Sequence, residues 1–298
     1  MNEPLISVVI PTYNRLDRLR YVIPALCAQD LGPMHFEVIV ADSNSNDGTA
    51  EYLAAIAREY PNVRHAPGPW TGRAMARNAG IEAAQAPLVL FTDADIIASP
   101  DLLSLHLARH SDGLPKAVVG WEVQVDSYDD YLRKKSNPTL RGSLHPASRK
   151  HLDWLYFMTG NASVRRTDLN RLGRFDEDFT GYGHEDLELG YRIRRAGLPI
   201  EYAREAVNYH WHPVPYDEQQ GRMELAGRST VRFWRKHSTF GVQAKLGMTR
   251  LSLALHDLVD GSEPLKAWIE RGAPGGGLPR ALSFQYHYLT GVKAALRD

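Results

Sequence analysis

Cysteine is almost missing from this chain. Cys27 stands alone in 298 residues, which excludes an intramolecular disulfide and any cysteine-rich zinc centre. It falls in pattern with Leu19, Val22, Ile23 and Leu26, so the thiol reads as a small core residue rather than a nucleophile. Long apolar runs are missing too: nothing reaches the roughly 18 residues a membrane-spanning helix needs. The opening Met1-Asn2-Glu3-Pro4 has no basic stretch followed by an apolar one, so the expectation is a cytoplasmic chain, at most peripheral to the inner face of a membrane. Nor is there an excess of either charge. Lys+Arg and Asp+Glu both number 35, so no overall field points to nucleic acid and any anion site must be local. There is no internal repeat. What remains is ordinary globular material, 43% hydrophobic and 23% charged, long enough for a substantial core.

The apolar runs that are present are short and regularly placed. Leu5 to Ile10, Phe36 to Ala41, Asn62 to Ala66 and Leu88 to Phe91 read as buried strands. Between them Leu16 to Ala28 (with Pro24 inside), Thr49 to about Tyr60, and Thr71 to Ala86 read as helices. This rhythm predicts an α/β fold with a single doubly wound, mostly parallel sheet. A helix from about Asp101 to His110 and a strand from Lys116 to Val125 follow. Asp126 to Lys150 is polar with weak periodicity and reads as a long excursion or mobile loop. Pattern returns at Trp154 to Val164, Gly181 to Ala196 and Ile200 to His210, and after Gly221 the chain reads as helical, broken at Gly272 to Gly277. The C-terminal helices, with Phe233, Trp234, Leu251, Leu253, Leu255 and Leu258, read as a structural cap or a homodimer contact, with a peripheral membrane contact as the alternative.

The chemistry concentrates where strands end. Asp93-Ala94-Asp95 closes the fourth strand, at the sheet edge where open α/β folds hold ligands. Two carboxylates so close repel each other unless a cation sits between them, and a hard divalent ion carrying a diphosphate is the simplest one; a solvated turn is the alternative. Pro11-Thr12-Tyr13-Asn14-Arg15 and Asp42-Ser43-Asn44-Ser45 end the first two strands at the same edge, suited to a nucleobase and ribose or else to turns and caps; Asp47 suits a cap better. Arg73 and Arg77 are one helical turn apart near a helix start, placed for phosphate, with an ion pair to Asp93 as the alternative for one of them. Glu185 and Asp186 open a helix where backbone dipoles keep a carboxylate ionised, the state a general base needs, while Glu188 and Arg192 have salt-bridge spacing.

Together, Val8 to Arg15, Ala41-Asp42-Ser43, Ala76 to Gly80, Phe91 to Asp95 and Gly183-His184-Glu185-Asp186-Leu187-Glu188 resemble the family 2 glycosyltransferases of the GT-A fold. The resemblance runs from Leu5 to Pro213, and with Gly160-Asn161-Ala162-Ser163 it is most similar to the branch of chondroitin-type polymerases and polypeptide sugar transferases. It implies a nucleotide-sugar donor, with a UDP-sugar favoured, held by Pro11, Thr12, Tyr13, Asn14, Arg15, Asp42, Arg73, Arg77, Asp93 and Ala94. It implies Mn2+ or Mg2+ on Asp95 and His210, with Asp93 and His212 as weaker ligands. Asp186 becomes the base of an inverting transfer, Glu185 an acid that orients the acceptor, and Gly160, Asn161, Glu185 and Trp211 the acceptor side. The acceptor itself is left open between a glycan, a peptide and a small molecule, with no nucleic-acid partner. The implied layout is a nucleotide-sugar half at 1–110, an acceptor and catalytic half at 111–221, and a helical extension at 222–298. Residues 213–221 are placed to close over the donor.

Two other readings stand beside it. A sugar-phosphate nucleotidyltransferase also joins a metal to a nucleotide sheet, but its Gly-rich basic first loop is replaced here by Pro-Thr-Tyr-Asn-Arg. A non-catalytic nucleotide-sugar or glycan-binding protein would have no use for Asp93, Asp95, Glu185, Asp186 and His210 together.

Overall fold

A computed structural model of the chain describes residues 3–142 and 151–298. It divides into two compact units, one made of the chain up to Glu177 together with Glu185–Pro213, the other of Asp178–His184 together with Val214–Asp298.

The first unit carries the sheet. In chain order its elements are β1 (Ile6–Thr12), α1 (Leu16–Cys27), β2 (Phe36–Asp42), α2 (Thr49–Glu59), β3 (Val63–Pro67), α3 (Gly72–Ala83), β4 (Leu88–Phe91), β5 (Ile96–Ala98), α4 (Leu102–Arg109), β6 (Ala117–Val125), α5 (Tyr128–Ser136), β7 (His151–Leu152), β8 (Ala162–Arg165), α6 (Arg166–Leu172), α7 (Glu185–Arg195) and β9 (Ile200–Trp211). The strands order as β3-β2-β1-β4-β8-β6-β9-β5, with β7 also on β9. The run from β3 to β4 is wholly parallel. Every residue of β1 and β2 is buried, as a strand covered by helices on both faces requires. Beyond β4 the sheet continues through antiparallel β8, and β6 and β9 pair in parallel.

Three local expectations change. The first strand does not stop at Pro11: it runs on to Thr12, whose carbonyl accepts the Ser43 N–H at 2.9 Å. The chain after Asp95 does not remain loop, because Ile96–Ala98 pairs antiparallel with β9 through Asn208–His210. Three residues are too few to show a period. The polar segment after Asp126 is helical over Tyr128–Ser136 and 3-10 helical over Pro138–Arg141; the rest of that predicted excursion, 143–150, lies outside the described residues. Its helix is built from ends rather than from an apolar stripe. The Ser127 hydroxyl accepts the Asp130 N–H, acids fill the first turn, bases fill the last, and Asp130 meets Lys134 at 2.8 Å.

The second unit is helical: α8 (Tyr216–Lys236), α9 (Phe240–Lys245), α10 (Arg250–Asp260), α11 (Glu263–Gly272) and α12 (Gly277–Arg297). Helix α8 begins at Tyr216, so most of the proposed closing segment is its first turns rather than a free strap. Phe233 is core, whereas Leu251, Leu255 and Leu258 face solvent. No helix among the described residues is long and apolar enough to cross a membrane. Helices α8 and α12 pack backbone to backbone, and a Cβ on Gly291 would lie 1.9 Å from the Glu224 carbonyl oxygen. Gly291→Ala should therefore destabilise this unit by about 1–3 kcal/mol, since overpacking outweighs the ~1 kcal/mol by which alanine is the better helix former. Urea unfolding checks this, and an unchanged or raised midpoint would contradict it.

Candidate active site

The parallel half of the sheet ends in a cleft of about 420 Å3 lined by Pro11, Thr12, Tyr13, Arg15, Ser43, Trp70, Gly72, Arg73, Ala76, Asp93, Ala94 and Asp95. Register explains the convergence. Pro11 lies beside Ala41 and Thr12 beside Asp42, while β4 runs alongside β1 and delivers Asp93 to the same edge.

Two of the expected donor residues support the cleft from behind. Asn14 takes a left-handed backbone (φ 50). Its N–H donates to Ser45 Oγ at 2.8 Å, and its Oδ1 accepts the Asn46 N–H at 2.9 Å, so the two loops are stitched together. Asp42 is buried, with Oδ1 accepting from Ser45 and Oδ2 3.1 Å from His65 Nε2. Asp47 is not the N-cap of α2, which is Gly48 without a side-chain bond; from one position earlier it accepts the Thr49 hydroxyl at 2.6 Å, and it also accepts the Leu16 N–H at 2.9 Å. Burial opposes its ionisation, but these bonds hold it below the usual carboxylate range.

Arg77 does not face the cleft. It is 1% exposed, and its two terminal nitrogens donate to Asp93 Oδ1 and Glu185 Oε1, both at 2.8 Å. Burial works against its charge, but Asp93, then Glu185 and Asp186, outweigh that and hold the proton more firmly than usual. Of the two arginines, Arg73 lines the cleft and Arg77 takes the ion-pair alternative. Glu185 is 3% exposed and its Oε2 has no hydrogen-bond partner. Asp186, next along α7, accepts the Leu187 N–H at 2.8 Å. Burial, and then the Glu185 carboxylate, raise its affinity for a proton above a normal aspartate's; Arg77 and Arg73 act the other way without cancelling it. Glu188 is held by Arg192 at 2.7 Å, as its spacing predicts.

Asp95 meets both histidines: Oδ2 is 3.0 Å from His212 Nδ1 and Oδ1 is 3.6 Å from His210 Nε2. His210 Nδ1 lies 3.0 Å from Glu122. Burial opposes protonation of His210, but Glu122, then Asp95 and Asp93, push it up to about 9. Burial likewise opposes ionisation of Asp95, and the His212 hydrogen bond with the histidine and Arg15 charges holds it below the ordinary range. Among the described residues no three His, Cys, Asp or Glu side chains form a ready cluster for an ion. The aspartate and histidines nonetheless fit one in pairs. Ligands at adjacent corners around an ion with bonds of ~2.1 Å lie about 3.0 Å apart, and Mg2+ commonly takes one or two protein ligands while phosphates and water fill the rest.

On the expected acceptor side, Asn161 is buried, donating to the Ala206 carbonyl at 3.0 Å and facing His106 Nε2 at 2.8 Å. The Gly160 carbonyl accepts from Asn208 Nδ2 at 2.7 Å, and Arg18 lies 3.8 Å over the Trp211 ring. The sequence reading missed Trp70 and Glu122, while Ser43 lines the cleft as its place after the second strand suggested. Trp70, an aromatic in a Gly-Pro-Trp-Thr-Gly turn, was the one with a visible signal, whereas Glu122 sits in an unremarkable strand.

A family model described as glycosyl transferase family 2 matches residues 7–173, and one described as N-terminal domain of galactosyltransferase matches residues 143–212. A validoxylamine A glucosyltransferase of Streptomyces hygroscopicus subsp. limoneus is 34% identical over 265 residues, covering 78% of this chain and 57% of that protein. A chondroitin synthase of Escherichia coli is 28% identical, covering 78% of this chain and 39% of that protein. The chain thus spans 57% and 61% of the two validoxylamine A glucosyltransferases it matches. A mannosyltransferase of Pyrobaculum calidifontis, solved with GDP-Man and Mn2+, shares the fold at TM-score 0.67 and 21% identity, covering 99% of this chain and 87% of that one. S. aureus TarS 1–349 with UDP-GlcNAc does so at TM-score 0.57 and 17% identity, covering 98% and 92%.

Replacing Arg77 by Met leaves two carboxylates facing each other with no cation. The expected loss is about 3–5 kcal/mol in urea unfolding, the range for breaking a buried pair from one side. A loss below ~1 kcal/mol would mean that Arg77 does not bear this load.

Proposed function

The chain belongs to glycosyltransferase family 2, and from that premise we propose that it moves a sugar from a nucleoside-diphosphate sugar, with a UDP-sugar as first choice, to an acceptor hydroxyl with inversion at the anomeric carbon. The observation that carries this reading is the buried Arg77, which ties Asp93 of the cleft to Glu185 and so brings the base candidate Asp186 alongside the place a donor would lie. The UDP and GDP-Man complexes of the neighbours support such a donor. The division into a donor half at 1–110 and an acceptor half at 111–221 belongs to the same proposal.

In this reading Pro11, Thr12, Tyr13, Arg15, Ser43 and Trp70 hold the base and ribose, and Arg73 faces the diphosphate. Asp95 with His210 or His212 would hold a divalent cation, and such an ion would offset the charge gathering on the leaving diphosphate. Asp186 accepts the proton of the acceptor hydroxyl as its oxygen bonds to the anomeric carbon from the face opposite the departing phosphate oxygen. The nucleoside diphosphate leaves with the bonding electrons. A base near a helix start is ordinarily a weak one, and the burial and Glu185 charge that raise Asp186 restore its basicity.

Incubation with a panel of nucleotide sugars, with and without Mn2+, is the direct test; no nucleoside diphosphate released from any donor would sink the reading. Asp186→Asn should lower kcat by about 10^2–10^4-fold, the contribution of a positioned general base, while the donor-induced shift in Tm persists. Because a base must be unprotonated and Asp186 is raised, wild-type kcat/KM should fall on acidification well before the ordinary carboxylate range near 4 is reached. An identical acid limb in Asp186→Asn would remove the residue from this role. Asp95→Ala should abolish the Mn2+-dependent part of the donor-induced Tm shift, and retention of that part would place the cation elsewhere.

A further inference from the structure

Gly160 and Asn161 read as acceptor contacts in the sequence, but both are buried just before β8, and each is engaged in shaping β6. Register between β6 and β9 jumps at one step, so Gly120 pairs with Ala203 and Trp121 with Val207. Arg204, Glu205 and Ala206 of β9 fall outside that register, and such bulges re-aim the side chains that follow them. Asn161 takes up the slack: its Nδ2 donates to the Ala206 carbonyl at 3.0 Å, and its backbone carbonyl accepts the Gly120 N–H at 2.9 Å. With Nδ2 as donor, Oδ1 is an acceptor, so the His106 Nε2 that faces it at 2.8 Å carries a proton. The amide is thereby held in one orientation.

Gly160 meets the residue that follows the bulge. A Cβ on it would lie 2.2 Å from Glu122 Oε2 and 2.9 Å from Ile96 Cδ1. Its carbonyl accepts from Asn208 Nδ2 at 2.7 Å, and Asn208 pairs with Glu122 across β9 and β6, so the Gly160 backbone is tied to the strand beside that carboxylate. The other carboxylate oxygen, Oε1, accepts from Gln124 Nε2 at 2.8 Å and lies 3.0 Å from His210 Nδ1. A carboxylate only accepts, so His210 Nδ1 carries the proton of the neutral ring. Nε2, 3.6 Å from Asp95 Oδ1, then keeps its lone pair.

We propose that Glu122 is a positioning residue for the cation corner, setting His210 with Nε2 toward Asp95, and that Gly160 serves it through the space its missing side chain leaves for the carboxylate. Partners behind a ligand histidine commonly fix its tautomer and ring orientation in this way. The assignment rests on the transfer reading above, gives Gly160 and Asn161 a task that needs no acceptor, and selects His210 over His212 as the ligand.

The test follows the Tm shift induced by UDP or GDP in the full chain as Mn2+ is titrated. Glu122→Ala and Gly160→Ala should each raise the Mn2+ concentration at half effect at least ~10-fold, the usual consequence of losing such a partner, with the metal-independent part of the shift unchanged. The double variant should be no worse than Glu122→Ala alone, because the group that the added methyl displaces is gone. An unchanged midpoint in Glu122→Ala overturns the positioning role. A further rise in the double variant overturns the route through Glu122. Urea unfolding supplies an arm free of metal: Gly160→Ala should lower the unfolding midpoint less in the Glu122→Ala background than in the wild type, and equal losses contradict the contact. If Gly160→Ala alone does not fold, folding of the double variant supports the contact and its failure to fold overturns it. Absence of any Mn2+-dependent shift in the wild type with either nucleotide sinks the cation reading instead, and the urea arm still reports on Gly160 and Glu122.

Discussion

One guanidinium ties the start of α7 to the end of β4. Arg77 sits on α3, between the parallel strands and the chain that returns 108 residues later, and each of its terminal nitrogens is engaged by a different carboxylate. A buried arginine facing two acids has a single low-energy arrangement, because separating any member strands a charge in a medium that cannot solvate it. Asp93 therefore stays in the wall of the 420 Å3 cleft and Glu185 stays buried behind it. Asp186, one residue on, gains its position from that arrangement, while its raised proton affinity comes from burial and then the Glu185 carboxylate, against Arg77. Glu185 resembles an acceptor-orienting acid in motif, but its side chain points inward to Arg77.

The second constraint is the register of the short strand that follows Asp95. Ile96 pairs with His210, and Gln124 of β6 pairs with the same histidine. Three strands thus converge on one row of side chains in which Glu122, His210, Asp95 and His212 alternate acid and base. Burial opposes a proton on His210, and Glu122, then Asp95 and Asp93, raise its proton affinity against that. The helical second unit carries none of these groups, and its close α8–α12 contact combines glycine approaches with polar bonds such as Thr230 to Tyr288 at 2.6 Å and His287 to Glu224 at 2.7 Å.

Much of this was legible along the chain. The continuous apolar runs of β1, β2 and β4 announced strands buried on both faces, and their spacing announced parallel crossovers. Asp93-Ala94-Asp95 at a strand end stood out because two carboxylates so close call for a counter-charge, and Glu185-Asp186 at a helix start because backbone dipoles keep such acids ionised. Helix α5 escaped notice because it is stabilised by caps and end charges and buries little apart from Asp130 and Tyr131. Strand β5 escaped because its three residues have no period to read.

Sequence alone determined most of the elements, though not β5, which exists by pairing with β9, and which side chains can ionise, cap or bind, since those follow from local backbone preference and from residue chemistry. Tertiary structure decided the assignment of each group among its alternatives. Arg73 went to the cleft and Arg77 to a buried ion pair; Asp42 went to His65 and Ser45; Glu122, which belongs to no motif, went to His210. These choices depend on which distant charge lies within hydrogen-bond reach once water is removed, and that distance is set by sheet register and helix packing.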